Sequence, residues 1–394
     1  MRTDPLAFLG NELDALKQQG LYRKLRVLEG KAEAHTTFDH KSVVNLSSNN
    51  YLGLTTHPKL VKAALEAVEK FGVGSGAVRT ISGTMEMHME LERRLAAFKH
   101  VESVVVFQSG FAANAGTVAA VLTKDDVIIS DELNHASIID GCRLSKAPIK
   151  VFPHKDVDAA RKIMKDLPRE QKKILITDGV FSMDGDLGPV AALCDLAEEF
   201  NAIMMVDDAH ASGVFGKNGS GTVDHFGCHG RVDIQVGTLS KAIGVLGGYV
   251  AGSKNLIEFL YHRARPFLFS TSHPPAVTAA CLAALDVLES EPQWIERLWD
   301  NTRFFKAGLE QLGFNTGISE SPITPVIVGE AATAAKMSDL LFARGVFAQS
   351  IGFPTVARDK ARLRTIVAAT HSKEDLQFAL DQFAVVGREL GVIS

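Results

Sequence analysis

Ile203-Met-Met-Val-Asp-Asp-Ala-His210 and Ile234-Gln-Val-Gly-Thr-Leu-Ser-Lys241 are the two stretches that decide how this chain folds. Each opens on a short apolar run and closes on polar side chains. A run apolar on both faces is how a strand buried between two helix layers reads. The same pattern recurs upstream at 104–107, 127–130 and 174–177, and residues 248–251 follow closely behind the lysine segment. Helix-like stretches such as 189–200 lie between the runs. This alternation predicts a mainly parallel sheet covered by helices. In such sheets ligands gather at the carboxyl ends of the strands. Five runs deliver polar residues to that rim: Ser109 with Gly110, Asp131 with His135, Asp178 with Ser182, Asp207 with His210, and Thr238 with Lys241.

A chain of 394 residues is too long for one compact core and suits a large domain with a smaller one. Near Leu285 the pattern changes. A long helical segment over 289–313 is followed by strand-like 322–328, a helix near 334–345 and strand-like 362–368. A last helix opens on Ser372-Lys-Glu-Asp375, which resembles a capping box. The expected layout is an N-terminal helix and arm over 1–48, a large domain over 49–284 and a small α+β domain over 285–394. The N-terminal helix would carry Leu6, Leu9, Leu13 and Leu16 on one face. Segment 214–230, rich in Gly and polar residues, reads as a surface loop.

Composition narrows the function. The net charge of -4 is spread along the chain without a basic stripe, which argues against a nucleic-acid partner. No stretch has the apolar length of a signal peptide or membrane span, so a cytoplasmic protein without a membrane partner is expected. Cys142, Cys194, Cys228 and Cys281 lie far apart and read as buried, reduced thiols.

The rim residues carry the chemistry. A lysine just past a buried strand loses basicity through desolvation, and its free amine becomes a nucleophile. Hydroxyls at Thr238 and Ser240 could hold a phosphate, and the glycines at 244, 247 and 248 let the backbone approach closely. An aspartate ending a strand, Asp207, suits pairing with a pyridinium nitrogen, which keeps the ring an electron sink; His210 would reach the ring's phenolic oxygen. His135 could stack on an aromatic ring. Gln108-Ser-Gly-Phe111 opens a helix over 112–122, whose free N–H groups favour an anion. Two other clusters are read more plainly. His225-Phe-Gly-Cys-His229 has metal-like residue types but no second ligand cluster, so no metal is expected. Glu86, Glu90, Glu92, Arg93 and Arg94 read as a solvated helix face.

Seven motifs occur in order: Asn49-Asn-Tyr-Leu-Gly53, Ser109-Gly-Phe111, Asn134-His135, Val206-Asp-Asp-Ala-His210, Thr238-Leu-Ser-Lys241, Phe269-Ser-Thr-Ser272 and Arg362-Leu-Arg364. Together they resemble the α-oxoamine synthases, a fold-type-I family of pyridoxal-5'-phosphate (PLP) dependent transferases that condense an amino acid with an acyl-CoA. The resemblance runs from about residue 5 to the C-terminus. It implies a seven-stranded, mainly parallel sheet with a smaller C-terminal α+β domain, and a homodimer with shared active sites. Lys241 would carry PLP as a Schiff base and later take the Cα proton, with His210 nearby. Asp207 would pair with the pyridine nitrogen and His135 stack on the ring. His210 and Ser182 would sit at the phenolic oxygen. Ser109, Gly110, Phe111 and Thr238 would serve the coenzyme's face and phosphate, joined by Ser270 and Thr271 of the partner subunit. Asn49 and Arg364 would hold the substrate carboxylate.

Arg23, in Tyr22-Arg-Lys-Leu-Arg26, is expected to meet coenzyme A phosphates or the far carboxylate of a dicarboxylic acyl chain. The stretch Val78-Arg-Thr-Ile-Ser-Gly-Thr84, with 129–141 and 267–275, resembles the acetyl-transferring branch of the family. The expected pair is therefore glycine (or another small amino acid) with acetyl-CoA, giving 2-amino-3-oxobutanoate. The alternative is L-alanine with pimeloyl-CoA, the 8-amino-7-oxononanoate synthase reaction of biotin biosynthesis, or a broad specificity. A PLP aminotransferase and a non-catalytic subunit are the more distant readings.

Overall fold

The computed structural model describes residues 4–18, 22 and 25–394. Strands β1 (His35–Phe38) and β2 (Lys41–Asn45) form a hairpin. The central sheet holds β3 (Ser103–Phe107), β4 (Val127–Asp131), β5 (Ile149–Phe152), β6 (Lys173–Asp178), β7 (Ile203–Asp207), β8 (Ile234–Thr238) and β9 (Gly248–Gly252). Their order is β3-β9-β8-β7-β6-β4-β5. Neighbours from β8 to β5 run parallel, and β9 is antiparallel to both β8 and β3. The link from Thr238 to Gly248 is too short for a crossover, so the chain must return in the opposite direction. Every residue of β4, β6, β8 and β9 is buried, as strands covered on both faces require. The seven-stranded, mainly parallel sheet is thus as expected. Only β5 escaped the sequence pattern. It is an edge strand with Lys150 inside it, and three of its four residues are exposed.

Toward the C-terminus, β10 (Ile323–Gly329), β12 (Gln349–Ile351) and β13 (Ala361–Ile366) make an antiparallel sheet in the order β10-β13-β12. The short β11 (Val346–Phe347) instead pairs in parallel with β2, so the N-terminal hairpin joins the C-terminal layer. The helix expected over 289–313 is Gln293–Gln311, and a separate helix, Pro275–Ser290, precedes it. Pro292 falls at the break, where its missing N–H and its ring end the first helix. The last helix, Lys373–Glu389, does open on the capping box: Ser372 and Asp375 cap each other's backbone N–H.

Two plain readings fail for one physical reason, a distant charged partner. Glu92 is buried and takes a two-pronged contact from Arg79, at 2.8 and 3.0 Å, plus the Val106 N–H at 3.0 Å. It therefore belongs to the interior, whereas Arg93 and Glu90 pair in solvent. Segment 214–230 is not simply a surface loop. Val214, Phe215, Ser220, Thr222, Val223 and Cys228 are buried, because the segment wraps an internal ion pair between Lys99 and Asp208 (2.8 Å). Gly221, at φ +113°, lets the backbone pass: a Cβ there would come 2.1 Å from Asp208.

The helix Phe8–Gln18 buries none of its residues. Among the described residues no helix is long and apolar enough to cross a membrane. All four cysteines are buried and free. Arg23 lies outside the described residues.

Candidate active site

The carboxyl rim of the sheet forms a cavity. Asp178 and Asp207 are register partners on β6 and β7, so their side chains leave the sheet on one face and both line it. Asp207 is held at both oxygens: Oδ1 accepts the Ala209 N–H at 2.8 Å and Oδ2 accepts from Asn114 Nδ2 at 2.6 Å. The Asn114 amide also reaches Ser137 Oγ (2.9 Å), which meets His135 Nδ1 at 2.7 Å. A chain of contacts through buried Ser137 and Asn114 therefore joins His135 to Asp207. Asp178 accepts the His135 N–H at 3.0 Å. Burial pushes its carboxyl well above the ordinary range, and the neighbouring Asp207 charge adds to the rise.

Lys241 enters the same cavity from the turn after β8. Its amine has no carboxylate within ion-pair distance among the described residues. Burial lowers it to about 8, with Arg364 adding to the fall and Asp207 and Asp178 opposing it. Burial also drives the His210 imidazole well below its usual value, helped by the Lys241 and Arg364 charges, so it is neutral near pH 7. Its Nδ1 lies 2.7 Å from the hydroxyl of buried Tyr51, which burial keeps protonated.

At the other end of the cavity, Ser109 caps the helix Gly110–Val121, its Oγ accepting the Ala112 N–H at 3.1 Å. Gly110 and Phe111 follow, and Thr238 Oγ1 sits 2.8 Å from Ser240 Oγ. Free helix-end N–H groups beside two hydroxyls make a place for a phosphate. Arg364, on β13, donates from Nε to the Ser182 carbonyl at 2.5 Å, and both Nη atoms lie 3.4 Å from Asn49 Oδ1. It has no acidic partner among the described residues. A half-buried guanidinium without a carboxylate suits a substrate carboxylate.

The fold thus brings Lys241, Asp207, His210, His135, Ser182, Ser109, Gly110, Phe111 and Thr238 to one cavity, with Asn49 and Arg364 paired beside Ser182. Ser270 and Thr271 do not line it. Thr271 is exposed, pairs with Val78 and accepts from Gln108 Nε2 at 2.8 Å. Three positioning residues went unread in the sequence: Asn114, Ser137 and Tyr51. Only Asn114 left a signal, as a lone amide in the otherwise apolar helix Gly-Phe-Ala-Ala-Asn-Ala-Gly-Thr-Val-Ala-Ala-Val. Its Oδ1 is buried without a hydrogen-bond partner. A free amine, an anchored strand-end acid and an anion-binding helix end fit an aldehyde, a pyridine nitrogen and a phosphate. Fold and site together define a fold-type-I PLP enzyme.

Comparison with known proteins agrees. Residues 41–383 match the family described as aminotransferase class I and II. The chain is 59% identical over 387 residues to an 8-amino-7-oxononanoate synthase of Symbiobacterium thermophilum, covering 98% of this chain and 99% of that one. It is 54% identical over 391 residues to 8-amino-7-oxononanoate synthase 1 of Bacillus subtilis, covering 99% and 100%. Among solved structures, PLP-bound serine palmitoyltransferase of S. paucimobilis superposes with a TM-score of 0.94 at 33% identity, over 99% and 100% of the two chains. An 8-amino-7-oxononanoate synthase of Francisella tularensis gives 0.75 at 27% identity, over 88% and 98%. The chain belongs to the aminotransferase class I and II family and, within it, to the α-oxoamine synthases. Its cofactor is pyridoxal 5'-phosphate, and its reaction class is PLP-dependent C-acyl transfer from an acyl-CoA to an amino acid.

Proposed function

We propose that this α-oxoamine synthase condenses L-alanine with pimeloyl-CoA, forming 8-amino-7-oxononanoate and releasing coenzyme A and carbon dioxide. The observation that carries this reading is the run of full-length relatives bearing that name, at 59% and 54% identity in the two cases above. The expected preference for glycine and acetyl-CoA gives way to it. That expectation rested partly on stretches 78–84 and 267–275, which pack on each other. Val78 pairs with Thr271, and the Ser272 N–H donates to the Ala77 carbonyl at 3.1 Å. Neither stretch lines the cavity, so their likeness to one branch reports shared scaffold rather than acyl choice.

PLP, when bound, supplies an electron sink for the pair left on the substrate Cα. The chain does the rest. Asn49 and Arg364 would orient the amino-acid carboxylate. Lys241, with its amine near neutrality, would take the Cα proton. Asp207, fixed by Ala209 and Asn114, would hold the ring nitrogen's proton. His135 would cover the ring face, and His210 with Ser182 would meet the phenolic oxygen. Ser109, Gly110, Phe111 and Thr238 would hold the phosphate. Phe111 is 48% and Phe269 70% exposed, and the N-terminal helix carries Leu9, Leu13 and Leu16 bare on its surface. Such a surface supports a homodimer in which Ser270 and Thr271 of the partner subunit complete the phosphate site. In mixed dimers of Lys241→Ala with Ser270→Ala/Thr271→Ala, activity should exceed both parents; no gain would argue for self-contained sites.

Thiol release by amino acid and acyl-CoA panels tests the substrate assignment. Alanine with pimeloyl-CoA should exceed glycine with acetyl-CoA by at least about tenfold in kcat/KM, although one methyl group alone discriminates by only about 1–3 kcal/mol. The reverse ranking would restore the glycine reading.

A further inference from the structure

Away from the cavity, three segments meet at the far end of helix Glu86–Lys99. His100 caps that helix in the left-handed conformation, at φ 54°. Asp224 lies in the one-turn helix Thr222–His225, and His229 follows it in the chain. One ligand atom from each lies within 4.8 Å of the others. His229 Nε2 is 2.7 Å from Asp224 Oδ1, and the rings of His100 and His229 stand edge to face with centroids 4.8 Å apart. Two imidazoles on one tetrahedral ion, with bonds of about 2.0–2.1 Å, place their ring centres about 5 Å apart.

The carboxylate is already oriented. Asp224 Oδ2 accepts the Lys217 N–H at 2.6 Å, which fixes the carboxylate plane and leaves Oδ1 to the imidazoles. Among the described residues no lysine or arginine pairs with Asp224, and the His100 ring makes no hydrogen bond. His225 turns away and packs on Phe215 and Phe226. The second ligand that 225–229 lacked in the sequence is His100, supplied from far up the chain.

We propose that His100, Asp224 and His229 form a site for a divalent transition-metal ion, Zn²⁺ in the first place. Two imidazoles and one carboxylate suit Zn²⁺, Co²⁺ or Ni²⁺ over Mg²⁺ or Ca²⁺. All three side chains reach solvent, so water completes the coordination. The ion ties the end of the helix to the segment that closes over the internal Lys99–Asp208 pair, next to Ser220 and Thr222. It acts as a structural fastener and takes no part in the chemistry at Lys241.

The test uses untagged holoenzyme, stripped with chelator and titrated with Co²⁺ by ligand-field absorbance and with Zn²⁺ by equilibrium dialysis. One ion per chain should bind saturably. His100→Gln and His229→Gln should each weaken binding at least about tenfold, and the double variant should abolish it. Zn²⁺ should raise the Tm of the wild type and not that of the double variant. Coenzyme absorbance and turnover, unchanged in all variants, establish that they are folded. Absence of saturable uptake, or uptake undiminished in the double variant, overturns the site.

Discussion

Lys99 and Lys241 are both interior lysines close to the consecutive pair Asp207-Asp208, and their environments drive them in opposite directions. Lys99 bonds Asp208 at 2.8 Å and the Ser220 carbonyl. Burial is the largest influence and opposes its charge, but Asp208, Tyr249 and Asp224 together outweigh it and the pKa rises. Lys241 has acids nearby but none bonded, and burial lowers it to about 8. Burial therefore makes a nucleophile only where the counter-charge is kept at a distance. Successive residues leaving a strand point to opposite sides, so one aspartate serves the cavity and the next serves the fold.

Removing one member of the structural pair should have the largest effect on stability. Lys99→Met leaves Asp208 buried and uncompensated, at a cost of about 3–5 kcal/mol. Urea denaturation should show the loss, with part of it recovered in Lys99→Met/Asp208→Asn, while the folded fraction still takes up coenzyme. A stability equal to wild type would mean that Lys99 is not the structural partner.

A smaller effect is expected on the catalytic side. Asn114→Ala deletes the 2.6 Å hydrogen bond to Asp207 and cuts the link to His135. A hydrogen bond to a charged group is worth about 1.5–3 kcal/mol, or roughly tenfold to hundredfold. The loss should fall on kcat rather than on KM, and coenzyme absorbance should change its pH dependence. An equal fall in both constants with an unchanged spectrum would mark Asn114 as merely structural.

Smallest is a pH effect that distinguishes the two lysines directly. In coenzyme-free protein the neutral-amine fraction of Lys241 grows as pH rises, passes its midpoint near pH 8 and levels off above that. The rate of PLP capture should follow that curve. A rate still climbing toward the ordinary lysine value near 10.5 would place the reacting amine elsewhere.

How much of this was legible follows from where each signal lies in the chain. Strands β4 and β6 to β8 could be read because burial on both faces leaves an apolar run ending abruptly on polar groups. Asp207, Lys241 and His135 stand at those ends and were found with them. Tyr51 was not, because its role depends on His210, 159 residues away. Glu92 and segment 214–230 were misread for the same reason: their burial is set by Arg79, Lys99 and Asp208, and local composition carries no trace of it. Acyl choice was misjudged because stretches 78–84 and 267–275 do not line the cavity, and 129–141 reaches it only with residues that serve the coenzyme side of the site, His135 and Ser137.

Reduction of the holoenzyme with borohydride, followed by proteolysis and peptide mapping, tests the assignment of Lys241 most directly. The label should be found on the peptide containing Thr238-Leu-Ser-Lys241 and be lost in Lys241→Ala. Label on Lys99 or any other lysine, or none on protein saturated with PLP, would contradict it.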